Sequence, residues 1–153
     1  MAKTALQLNM PQSVMDTLNS GFGTEINVDI CHDFDIKRAD LSLFASLIRR
    51  LYYKEIRPDD LVNTIKGDFG LNDERAKKMA IRIVGERLLS VKDWFETDLE
   101  KLITEWGGSM EKFIGISKKY EEAIKKEKAE MESDWADSED FENVVAINSA
   151  ADG

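Results

Sequence analysis

Cysteine occurs once, as Cys31, and histidine once, as His32, in a chain of 153 residues. A lone thiol forms neither an intrachain disulfide nor a four-cysteine zinc site, and a lone imidazole builds no multi-histidine centre. No stretch approaches the roughly 18–20 consecutive apolar residues that span a bilayer. The first eighteen residues hold no long apolar run either: Gln7, Asn9, Gln12 and Ser13 interrupt the uncharged stretch between Lys3 and Asp16. No secretory signal is expected from them. There is no glycine-rich phosphate loop, no G-x-S-x-G elbow and no internal repeat, so the common signatures of nucleotide binding and of serine hydrolysis are missing. Basic residues are absent from 131–153, which carries seven acids.

What is present suffices for a folded body. Apolar residues make up 42% of the chain and charged residues 33%, enough to bury a sizeable core. The formal net charge of −9 argues against a surface that embraces nucleic acid or anionic lipid as a whole. That charge is uneven, with thirteen basic and eight acidic residues in 37–92. A single free thiol fits a reducing compartment, and a cytoplasmic location is expected.

Helical spacing dominates the middle of the chain. Pro11 opens a short helix that Gly21 closes. Leu41, Phe44, Ile48, Leu51 and Tyr52 fall three and four apart and predict a central helix from Asp35 to about Glu55. Pro58, with Asp59 and Asp60 in its first turn, starts another, whose apolar side is Leu61, Val62, Ile65 and Phe69. Gly70 caps it, and Asn72 starts a helix burying Ala76, Met79, Ala80, Ile83, Val84 and Leu88. Val91, Phe95, Leu99, Leu102, Ile103 and Trp106 predict a helix over 91–106, broken at Gly107-Gly108. A last helix is expected over 109–132, projecting into water after Ile124. Only the segment from Gly21 to Asp35 reads as non-helical. There Ile26, Val28 and Ile30 alternate with polar residues, and an extended strap over the helices is expected.

The order L-x-x-x-I, F-G-L, E-R-A-x-x-M-A-x-x-I within 56–89 resembles a two-helix module with a glycine turn. No activity attaches to that resemblance, and it assigns no residue a role.

The expected fold is all-α: a compact bundle of five or six helices in 1–132, with a short extended strap at about 22–34, a C-terminal helical hairpin and a disordered acidic tail over 133–153. Four groups of residues bear on function. Cys31, His32 and Asp33 are ligand types, but neighbours on an extended chain point apart, and no metal or other cofactor is expected. Paired carboxylates are inevitable among thirty acids, and none stands out, so no enzyme is expected. The basic middle offers Arg75, Lys78 and Arg82 on one helix face, with Arg49 and Arg50 nearby, as a nucleic-acid surface. Acids in the first turn of that helix oppose this use. The tail places Trp135, Phe141, Val144, Val145 and Ile147 among acids, a pattern suited to docking on a groove with a basic rim.

The sequence is thus read as a non-enzymatic interaction module, a small adaptor or regulatory subunit, with a protein partner bound through the helical surface or the tail. A nucleic-acid-binding regulator using the helix pair 58–89, masked by the tail, is the alternative. No membrane partner is expected, and self-association through an apolar stripe on the last helix is left open.

Overall fold

The computed structural model describes residues 8–132, and among them every regular element is helical. Seven α-helices follow in order: α1 (Gln12–Asn19), α2 (Gly21–Asp33), α3 (Leu41–Tyr52), α4 (Leu61–Phe69), α5 (Asp73–Ile83), α6 (Leu99–Glu105) and α7 (116–132). None of the described helices is long and apolar enough to cross a membrane. The residues expected to form the acidic tail, Trp135, Phe141, Val144, Val145 and Ile147 included, lie outside the described segment.

The core forms where the three- and four-residue spacing is regular. Helix α3 turns Phe44, Leu47, Ile48, Leu51 and Tyr52 inward, and α5 turns Ala76, Met79, Ala80 and Ile83. Helices α4 and α5 pack on each other, α2 packs on α3 and α5, and α1 packs on α2 and α3. Single turns of 3-10 helix at Arg38–Asp40 and Pro58–Asp60 lead into α3 and α4. Gly70 ends α4 with a left-handed φ of 65°. Asn72 opens α5 by accepting a 2.8 Å hydrogen bond from the Arg75 N–H.

The strap expected at about 22–34 is instead helix α2. Its buried residues are Gly23, Ile26, Ile30 and Cys31, spaced as one helical face, while Val28 points to solvent and is 48% exposed. The alternation of Ile26, Val28 and Ile30 was a coincidence of β-branched residues. Two oxygens make the helix viable despite its weak intrinsic propensity. The Ser20 hydroxyl oxygen accepts from the Gly23 N–H at 3.0 Å. The Glu127 carboxylate accepts from the Gly21 N–H at 2.8 Å, from α7, 106 residues away. A carboxylate at a helix N-terminus also meets the positive end of its dipole.

The helix expected over 91–106 is interrupted as well. Helix α5 runs into a π-helical turn, Val84–Leu88, and then a 3-10 stretch, Leu89–Trp94, where Val91 leaves helical geometry. The Trp94 indole N–H donates to the Tyr52 carbonyl at 2.8 Å and ties this stretch to α3. Asp98 caps the short α6 by accepting from the Lys101 N–H at 3.1 Å. After Gly107-Gly108 comes a 3-10 turn, Met110–Phe113, and α7 starts at 116 rather than 109. The expected hairpin of two long helices is therefore a short helix, a 3-10 turn and one long helix. Beyond Ile124, α7 does not simply project into water. Glu127 caps α2, and the Lys128 ammonium lies 2.7 Å from an Asp16 carboxylate oxygen on α1.

Candidate functional site

The C-terminal end of α2, the outer face of α5 and the segment 107–119 enclose a groove of about 890 Å³. Phe34, Ile81, Phe113 and Ile116 supply its apolar surface. Gly85 lets the wall close: a Cβ there would lie 2.3 Å from the Phe113 ring, so only glycine permits that ring to settle on the π-helical turn. Phe34 and Phe113 are 9% and 8% exposed, so little of either ring is open to the groove.

The rim is charged, chiefly basic. Arg75, Lys78 and Arg82 come from α5, Lys112 from the 3-10 turn and Lys119 from α7, against Asp33 and Glu86. These groups differ in how far they are already engaged. The Arg82 Nε donates to Glu86 at 2.6 Å, and its Nη1 donates to Asp33. The hydrogen bond to Glu86, with Asp33 in support, pushes the Arg82 pKa above its ordinary value. Arg75 lies 3.8 Å from Asp35, its guanidinium 5.7 Å above the Phe34 ring. Lys78 pairs with Glu74 at 3.3 Å. Lys112 and Lys119 are exposed and form no ion pair among the described residues.

The fold thus brings Arg75, Lys78 and Arg82 together. It does not bring Arg49 and Arg50 to them: neither lines the groove, and Arg50 is paired with Asp68 at 3.0 Å. Lys112 and Lys119 were not singled out from the sequence. Only their chain distance from α5 hid them, since basic residues in a turn and a surface helix carry no local mark of what they face.

On α2, Cys31 turns into the core, away from His32 and Asp33, whose Nδ1 and Oδ1 lie 3.6 Å apart at the surface. Cys31 is buried, and that burial pushes its thiol up to about 11. His32 is exposed, and Asp33 turns to Arg82. No cluster of three metal-ligand side chains occurs among the described residues. No carboxylate is buried among them either; the buried polar residues are Thr17, Ser20 and Arg87.

Arg87 is the residue whose placement the sequence reading missed. It is 1% exposed and has no carboxylate partner among the described residues. Its guanidinium donates to the Leu18 carbonyl at 3.1 Å, to the Thr17 carbonyl at 3.4 Å and to the Tyr120 hydroxyl oxygen at 3.0 Å. Tyr120 in turn donates to the Glu86 carbonyl at 2.7 Å, and the Tyr52 hydroxyl donates to the Arg87 carbonyl. Burial raises both phenol pKa values above their ordinary value, so both remain proton donors. The charge meets the last carbonyls of α1, the negative end of that helix. A Cβ at residue 23 would fall 1.8 Å from Nη1, so Gly23 makes room for the guanidinium. The signal in the sequence was the spacing: Arg87 follows Ile83 by four and Val84 by three, on the buried stripe. This knot holds α1, the π-helical turn and α7 in place, and so fixes Ile116 and Lys119 against α5.

No protein-family model matches the chain, and no similar curated protein or solved structure was found.

Proposed function

We propose that this chain is a non-enzymatic protein-interaction module, an adaptor or regulatory subunit, that docks an acidic segment of a partner protein in the groove between α5 and α7. The observation that supports it is the pairing of an apolar floor with a basic rim in which Lys112 and Lys119 have no ion-pair partner among the described residues. Apolar anchors would supply affinity there, and the rim would set orientation and on-rate. Trp135, Phe141, Val144, Val145 and Ile147 remain the proposed second contact, through the tail.

A nucleic-acid surface is the second reading, favoured by Arg75, Lys78 and Arg82 lying on one groove. Asp33 and Glu86 in the same groove weaken it, because they would face phosphates. The two readings separate in a pull-down from native extract with the full chain, a chain ending at residue 132 and a Lys112→Glu/Lys119→Glu chain, each with and without nuclease. The interaction module predicts a stoichiometric protein that survives nuclease and is lost from the charge-reversed chain. Loss on truncation alone, with the charge-reversed chain still binding, would place the contact on the tail and sink the groove. Nucleic acid recovered in a salt-dependent way, and more strongly after truncation, would establish the second reading.

A further inference from the structure

We infer that the groove is occupied in the free protein by the chain's own segment around Phe141, Val144 and Val145, which a partner must displace. The inference rests on the reading of the groove as a docking surface and adds a named occupant.

Charge comes first. The groove rim is chiefly basic, with Lys112 and Lys119 exposed and uncommitted among the described residues. The segment 133–153 has no basic residue, and Asp140 and Glu142 flank Phe141 directly. Its apolar residues match an apolar floor of similar chemistry, Phe34, Ile81, Phe113 and Ile116.

Reach comes second, and it discriminates among the apolar residues. Helix α7 leaves the groove at Lys119 and is described to residue 132. At 1.5 Å per residue its end lies roughly 20 Å from the groove edge. An extended chain advances at most about 3.3–3.6 Å per residue, so Trp135 reaches only about 10 Å from residue 132 and falls short. Phe141 reaches about 30 Å by the same measure, so it and the residues after it can return to the groove along α7. Lys126, seven residues after Lys119 and on the same side of α7, is exposed. Phe141, Val144 and Val145 are then the anchors, spaced three and four apart as on one helical face. Tethering makes this an intramolecular association, so modest contacts suffice to fill the groove.

The test uses the full chain. Ser138→Cys receives a nitroxide label; Cys31 stays unlabelled because its thiol is buried and protonated. Amide signals of Gly108, Lys112 and Phe113 are recorded with the label active and reduced, at several protein concentrations. Docking in cis predicts loss of those signals, unchanged on dilution, and recovered in a Phe141→Ser/Val144→Ser/Val145→Ser chain. Undiminished signals would overturn the proposal. So would broadening found only when labelled and isotope-enriched copies are mixed, which identifies a second copy as the occupant. A separate arm adds an unlabelled acidic peptide of residues 133–153 to the triple variant. Shifts of the groove amides there, without cis broadening in the parent chain, would leave the docking reading standing while the cis occupant fails. Absence of both would remove both.

Discussion

At the scale of single residues, Arg87 connects the parts of the molecule that must stay in register for the groove to exist. Arg87→Met would recover the cost of burying a charge, but it would orphan the Leu18 carbonyl and remove the donor to Tyr120, while the Thr17 carbonyl keeps the Ser20 hydroxyl and N–H as donors. Leaving the Leu18 acceptor unpaired and the three elements untied outweighs the gain, and a loss of about 1–3 kcal/mol in urea denaturation is expected. Arg87→Lys should recover little of it, because one ammonium cannot serve both α1 carbonyls and the phenol in the fork geometry of a guanidinium. An unchanged midpoint in either variant would show that the knot is dispensable. Asp16 gives a second residue-scale expectation. Its hydrogen bonds from Lys128 and Gln12 hold its carboxyl below the ordinary carboxylate value. A lowered folded pKa stabilises above the unfolded value, about 4, and that contribution is lost as pH falls through the folded pKa. The amides in the C-terminal half of α7 should therefore lose protection, measured against their intrinsic exchange rates, below about pH 4, and Asp16→Asn should show the lower protection already at neutral pH. Arg87 was legible in principle, since its spacing placed it on the buried stripe. The instinct that arginine belongs outside hid it.

At the scale of elements, regular period decided what could be read. Helices α3, α4 and α5 follow from their apolar spacing, and their caps, Gly70 and Asn72, are local residues with local effects. Helix α2 was illegible because one of its decisive caps, Glu127, is distant in sequence; within the segment only two glycines and alternating branched residues are visible. Glu127→Ala should accordingly cost about 0.5–2 kcal/mol, the range of a lost N-cap. Glu127→Gln should retain part, as a neutral acceptor without the charge. Thermal melts of the two chains test this, and equal midpoints for Ala and parent would show that α2 does not need the cap. The stretch 91–106 failed differently. Phe95, Leu99 and Ile103 are buried as their spacing required, yet the π-helical turn shifts the register upstream and the backbone does not form one helix. Gly85→Ala would force the Phe113 ring aside and should loosen the groove wall while leaving α3 and α4 intact.

At the scale of the whole molecule, the basic middle and the acidic end acquire a geometric relation that neither has in sequence. Charge counting identified Arg75, Lys78 and Arg82; folding adds Lys112 and Lys119 and separates Arg49 and Arg50 from them. The ion pairs on Arg75, Lys78 and Arg82 make the two lysines the groups with most to offer an incoming acid. Surface charges at such a rim contribute little to stability. Lys112→Glu/Lys119→Glu should therefore melt within about 1 kcal/mol of the parent while losing its ligand. The central claim is that this groove takes an acidic segment carrying apolar anchors. It is tested most directly by a fluorescence anisotropy titration of a labelled peptide spanning residues 133–153 against a chain ending at residue 132. The prediction is saturable binding that weakens with added salt and disappears in the Lys112→Glu/Lys119→Glu chain. Equal binding by the charge-reversed chain, or none by either, would contradict it.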